Sequence, residues 1–167
     1  MDIAFYLAAA VAIVATALVI AMPSAIHALL YLIVSLLAVA VVFYVLGAPF
    51  AAALEVIVYA GAIMVLFVFV VMMLNLGRPA AAAQERAWLR PTMWIGPAVL
   101  ATLLLAELVY LLLRAAPAGA SSGELDSRQV GTLLFGPYLL GVELASMLLL
   151  AGLVGAYHLG WRDREDG

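Results

Sequence analysis

The sequence contains no cysteine and no lysine. The first absence excludes a disulfide framework, a thiolate-held metal site and a cysteine nucleophile. The second leaves all seven positive charges to arginine, and these are scattered along the chain rather than gathered into the basic patch that binds nucleic acid. Charge of either sign is scarce. Charged residues make up 10% of the 167 residues, hydrophobic residues 69%, and the mean hydropathy is +1.24. A soluble domain is about half apolar and about a quarter charged. The composition therefore excludes a soluble globule and implies an integral membrane protein in contact with the lipid bilayer.

What is present is a series of long apolar runs. A membrane-spanning helix needs about 20 apolar residues at about 1.5 Å rise each. Five stretches qualify: 3–22, 25–46, 51–76, 92–114 and 132–161. The expected fold is an all-α integral membrane protein with five transmembrane helices, forming a single membrane domain over residues 1–167. The stretch MDIAFYL carries Asp2 where a signal peptide carries positive charge, and its apolar run continues to Ala21, so a retained helix is expected. Ser24 is placed to cap the second helix and Pro49 suits the first turn of the third. Gly136-Pro137 predicts a kink or a short preceding helix in the fifth.

Arginine sets the expected orientation. Arg114 and Arg128 fall on the side of the N-terminus, whereas Arg78, Arg86, Arg90, Arg162 and Arg164 fall on the other. Five against two places the second side in the cytoplasm, the N-terminus outside and the C-terminus inside. Trp88, Trp94 and Trp161 map to the same cytoplasmic interface, where amphipathic rings anchor.

Three carboxylates interrupt the spans: Glu55, Glu107 and Glu143. Helix rise puts each about 8–11 Å inside the outer boundary, where an ionised group normally faces a bundle interior or a wet cavity. Glu55 begins the run EVIVYAGAIMVLFVFVVMMLN, with Tyr59 one helical turn later. On a regular helix Glu55, Tyr59, Ala62, Leu66, Phe69 and Met73 share a face. The pair reads either as a proton-handling track or as an interfacial acid favoured by the helix N-terminus. Glu143 is followed by Ser146, within faces of small residues that admit close helix approach, and reads evenly as a packing or a proton-handling residue. Glu107 precedes Arg114 by two turns and is expected to snorkel toward it or toward the interface. His27 and His158 lie near one boundary, but two lone histidines do not make a haem site. The small run Ala60-Gly61-Ala62 before the bulky run Ile63–Phe67 marks a place where a π-bulge can sit.

The runs MPSAIHALLYLIVSLL, ALEVIVYAGAIMVLFVFVVMMLNLG and LFGPYLLGVELASMLLLAGLVGAYHLG resemble the J-type membrane subunits of bacterial complex I, the proton-pumping NADH:quinone oxidoreductase, counterparts of mitochondrial subunit 6. The likeness covers all five spans. It implies a non-redox subunit of the enzyme in the bacterial inner membrane, packed among the K-, H-, A- and N-type membrane subunits. The resemblance also implies that this chain binds no cofactor itself. FMN, iron–sulfur clusters, NADH and quinone would be handled by other subunits. It further implies a third span that alternates between a π-bulged and a regular helix and so couples quinone reduction to proton translocation. On this sequence the carried positions are Glu55 and Tyr59 as members of a proton path, with Glu143 joined to them, and Gly61, Ala62, Ile63, Met64, Val65, Leu66 and Phe67 as the gating region. Glu107 lies outside the carried motif. The alternative is a subunit of a multisubunit cation/proton antiporter, which neighbouring genes would distinguish.

The orientation is open to direct test. A reporter fused after Trp161 is expected to be active in the cytoplasm and silent in the periplasm; activity confined to the periplasm would reverse the assignment.

Overall fold

The computed structural model describes residues 2–75, 91–114 and 126–162. The elements follow in order as α1 (Asp2–Ala21), α2 (Ala25–Val45), α3 (Pro49–Leu54), a π-helical segment (Glu55–Ile63), α4 (Met64–Asn75), α5 (Pro91–Arg114), α6 (Ser127–Leu134) and α7 (Leu139–Arg162). Among the described residues, five helices are long and apolar enough to cross a membrane: Ile3–Ala21, Ala25–Val45, Pro49–Leu74, Trp94–Arg114 and Leu139–Gly160. Residues 76–90, with Trp88 and three of the arginines, residues 115–125, and the tail from 163 onward lie outside the described residues, as do the side chains of Trp161 and Arg162.

Two compact units divide the chain, Met1–Glu124 and Leu125–Gly167. In the first unit the tight connections obey local chemistry. Gly47 ends α2 with φ 83°, a left-handed conformation that costs a residue with a Cβ. Its neighbour Ala48 closes a five-residue return, N–H to the Phe43 carbonyl at 3.0 Å, and Pro49 then opens α3 at the position where its missing N–H costs nothing. Ser24 occupies the N-cap of α2, as expected, yet its hydroxyl does not bond a backbone N–H. It pairs instead with Nδ1 of His27 at 3.0 Å, which gives the buried imidazole a partner and accounts for the histidine without a metal.

The core of this unit lies between α1, α2 and α5. Ala8, Val11, Ala15, Val34, Ala38, Val41 and Leu104 are buried together, with Leu100 and Leu111 packed against them. Alanine is frequent here for a reason particular to lipid. Hydrocarbon offers no hydrophobic drive for helix association, so close backbone approach and interhelical polar contacts must supply it. Both occur. The Thr16 and Ser35 hydroxyls meet at 2.7 Å across α1 and α2, and Ser35 also donates to the Ala12 carbonyl at 3.3 Å. Between α2 and α5, the buried Tyr31 lays its phenol on Gly96, and its ring carbon Cζ stands only 3.1 Å from where a Cβ on Gly96 would project.

The second unit corrects one boundary. Hydropathy gives a single stretch from 132 to 161, in which Gly136-Pro137 predicts a kink or a short preceding helix; the short helix is what forms, as α6, a turn over 135–138, and then α7. Pro137 has no N–H to continue a helix. Gly136 sits 2.7 Å, measured from an added Cβ, from the Thr132 carbonyl, so only glycine fits that turn. The spanning part therefore begins at Leu139.

The Tyr31–Gly96 contact predicts a reciprocal pair. Gly96→Ala is expected to cost about 1–3 kcal/mol, the usual range for overpacking, and Tyr31→Phe in the same chain should return part of that loss. Thermal denaturation of the purified membrane assembly measures both; equal loss in the single and double variants would show that the ring yields without strain.

Candidate functional site in the third span

The third span is one continuous rod made of three pieces: α3, nine residues of π-helix, and α4. A π-helix pairs each N–H with the carbonyl five residues back, and such segments are mostly single turns found at functional sites. Here the ends of the segment show the change of pairing. The Glu55 N–H still reaches Ala51 and Ala52, as in an α-helix, whereas the Met64 N–H is shared between Tyr59, five residues back, and Gly61.

Gly61 lies where the wide turn is tightest. A Cβ at this position would stand 3.1 Å from the Val56 carbonyl oxygen, the group five residues back. An alanine would force that carbonyl to give by a few tenths of an ångström; a β-branched residue would add bulk and a restricted χ1 as well. The small run Ala60-Gly61-Ala62 thus falls inside the π segment. The bulge expected over Gly61–Phe67 is displaced toward the N-terminus. Gly61, Ala62 and Ile63 belong to it, whereas Met64, Val65, Leu66 and Phe67 are regular α-helix. The physical reason is that the wide turn needs close backbone approach at Gly61, and the bulky side chains that follow resume regular packing.

Glu55 opens the segment and is half-buried; Tyr59 is 52% exposed. Neither makes a side-chain hydrogen bond among the described residues. The face drawn from Glu55 through Tyr59 to Leu66, Phe69 and Met73 assumes an unbroken α-helix. One inserted residue turns everything after it by about 100°, so Glu55 and Tyr59 no longer share a face with Leu66 and beyond. Met64, 3% exposed, is the buried residue that follows the segment. Beside the start of the π segment lies an apolar groove of about 490 Å³. Its walls are Leu37, Ala40, Val41 and Tyr44 of α2, Pro49, Ala52, Ala53 and Val56 of the third span, and Ala101, Leu104, Leu105 and Leu108 of α5.

Glu143 stands on α7, in the second unit, and is exposed. The Ser146 hydroxyl donates to the Glu143 backbone carbonyl at 2.7 Å and not to its carboxylate. Glu107 departs from expectation. It does not snorkel: it is 8% exposed and both carboxylate oxygens are buried without a hydrogen-bond partner. Arg114 instead sits over the Tyr110 ring, 4.7 Å from its centroid. The signal was present in the spacing. Leu100, Leu104, Glu107 and Leu111 recur at helical intervals on the stripe that faces α1 and α2.

With this geometry in place, comparison with known proteins is decisive. The sequence pattern of the NADH-ubiquinone/plastoquinone oxidoreductase chain 6 family matches residues 15–159. The chain belongs to that family. A relative from Pseudomonas aeruginosa, NADH-quinone oxidoreductase subunit J, is 63% identical over 168 residues, covering 99% of this chain and 100% of its own. The Escherichia coli K12 protein of the same description is 57% identical, over 98% of this chain and 89% of its own, and one from Buchnera aphidicola is 47% identical over 96% and 98%. The family match reaches into all five apolar helices, so the resemblance noted in the three sequence runs extends beyond those runs.

Gly61 yields a structural prediction. Gly61→Val is expected to shorten or abolish the π segment, so that the amide of residue 61 pairs four residues back. A high-resolution structure of the variant assembly reads this directly, and an unchanged π segment over Glu55–Ile63 would show that Gly61 does not select it.

Proposed function

We propose that the third span of this chain is the moving element of a proton-pumping NADH:quinone oxidoreductase, with Glu55, Tyr59 and Glu143 as protonable or hydrogen-bonding members of the path that it controls. The chain is a membrane subunit of that enzyme complex and a multi-pass protein of the bacterial inner membrane. Within the complex it acts as one membrane domain over its full length, beside the K-, H-, A- and N-type membrane subunits. It has no redox role of its own: without cysteine it cannot hold an iron–sulfur cluster by thiolates, and flavin, NADH and quinone chemistry falls to its partners.

The observation that carries the reading is the π-helix over Glu55–Ile63. Converting it to α-helix changes carbonyl partners from five to four residues back and leaves no interior N–H stranded. It rotates α4 by about 100° for each residue absorbed. That rotation withdraws Met64 from its buried place and puts a neighbouring side chain there. It also changes how Glu55 and Tyr59 stand relative to the bulky residues Val65, Leu66 and Phe67. The span therefore has two backbone-satisfied states with different side-chain surfaces, which is what a gate requires. A population shift follows if quinone chemistry in the complex favours one state over the other.

The test uses membrane vesicles that contain the variant complex, with quinone-linked NADH oxidation, proton uptake and native-gel assembly measured side by side. Gly61→Val is expected to assemble and to slow turnover and pumping together by about tenfold, the effect of a shift of about 1.4 kcal/mol between the two states. Gly61→Ala should do much less. Glu55→Gln should assemble and lose part of its pumping, since water can bypass one group in a wet path. Parental turnover in assembled Gly61→Val would remove the gate from this segment.

A further inference from the structure

Glu107 takes no part in the path proposed above. It lies on α5, in the interior formed with α1 and α2, and it is the one carboxylate among the described residues whose two oxygens are both buried and unpartnered. Its level in the bundle follows from the packing. α2 and α5 run in the same direction, with Tyr31 on Gly96 near one end and Tyr44 and Leu108 on the same groove near the other. Glu107 is thus level with the last turn of α2. On α1, which runs the opposite way and pairs Thr16 with Ser35, the matching level falls near Ala8, a fully buried residue that leaves room for a longer side chain opposite.

What could balance a carboxylate here is narrowly limited. From α1 the only titratable side chain of Ile3–Ala21 is Tyr6, which is exposed. α2 carries His27, Tyr31 and Tyr44; His27 is paired to Ser24, Tyr31 lies on Gly96 near the other end, and Tyr44 lines the groove. The third span offers Glu55 and Tyr59, and α5 itself offers Tyr110 and Arg114, the latter held over the Tyr110 ring. Neither α1 nor α2 carries an arginine. No group of three or more metal-ligating side chains exists among the described residues. A basic side chain of a partner subunit would have to displace this chain's own packing to reach either oxygen. A proton is the one compensating charge small enough to be there already.

We propose that Glu107 is a proton-binding site internal to the α1–α2–α5 bundle, held as the neutral acid and exchanging its proton toward the Arg114 end of the bundle. The direction follows from what lies on either side. Toward the Ser24 end, buried Val11, Val34, Ala38 and Leu104 separate Glu107 from the nearest hydroxyl pair, Thr16 and Ser35, by more than about 10 Å of helix rise. Toward the other end, Leu111 and Val45 are only partly buried, and the exposed Arg114 lies two turns on. This site depends on the chain's membership of the complex but not on the gating of the third span.

The experiment is infrared difference spectroscopy of the purified complex in a lipid nanodisc during exchange from H₂O to D₂O. The parent should show a carboxylic-acid C=O band that shifts in D₂O and is missing in Glu107→Gln. In Glu107→Asp the band should be displaced but kept, which preserves the test if the glutamine variant assembles poorly. Leu111→Ala, which thins the cover on the Arg114 side, should speed exchange of that band about tenfold, a barrier change of about 1.4 kcal/mol. Thr16→Val with Ser35→Ala should leave the rate unchanged. Identical spectra for the parent and Glu107→Gln would overturn the protonated site. Slower exchange in the Thr16/Ser35 double variant would overturn the route.

Discussion

In hydrocarbon, a backbone N–H or carbonyl without a partner costs several kcal/mol, and no water is available to relieve it. Every feature of the third span answers to that constraint. A helix in a soluble protein can open by exchanging its hydrogen bonds with solvent. A membrane span can change shape only by exchanging one internal partner for another. The π segment over Glu55–Ile63 is such an exchange held in place: the Met64 N–H is divided between carbonyls three and five residues back, and Gly61 lets the Val56 carbonyl come close. The bonds of the wide turn remain internal, so the span departs from a regular α-helix without exposing peptide groups to lipid.

The remainder of the first unit is packed by different means. Its helices are joined by small side chains, by the Thr16–Ser35 hydroxyl pair and by Tyr31 seated on Gly96. These contacts are short and specific in place of large apolar surfaces, as expected where lipid competes equally for apolar groups. Burial accordingly falls mostly on alanine and valine, while Leu54, Leu66, Phe67, Phe69 and Leu74 of the third span are exposed. The groove between α2, the third span and α5 leaves free volume beside the segment that differs most from a regular helix.

Much of this was legible in the residues. Hydropathy located four of the five spans within a few residues, the fifth beginning only at Leu139, and Pro49 and Gly47 behaved as their backbone chemistry requires. The glycine that permits close approach was evident in the Ala60-Gly61-Ala62 run. The side of Gly61 on which the wide turn falls was not, because it depends on which carbonyl moves in, and Val56 is named by the three-dimensional path alone. Ser24 was misread in part: its position is that of a cap, but a histidine three residues on outcompetes the backbone for its hydroxyl. Glu107 is less legible, because Arg114 lies on the same helix face as a ready counter-ion. The stripe through Leu100, Leu104 and Leu111 pointed the other way, and packing overruled charge.

Tyr31 and Gly96 have one more consequence. The phenol fits only over a residue without a side chain, and the next residues along that face of α5 are Val99 and Leu100. Sliding α5 along α2 by one turn would bring Val99 or Leu100 against the hydroxyl. The contact is a key in a slot: it fixes the longitudinal setting of α5, and with it the heights of Leu104 and Glu107, while leaving the third span unkeyed. On the proposed reading, in which the third span rotates, its neighbour α5 is held against translation by the side chains that flank a residue with none.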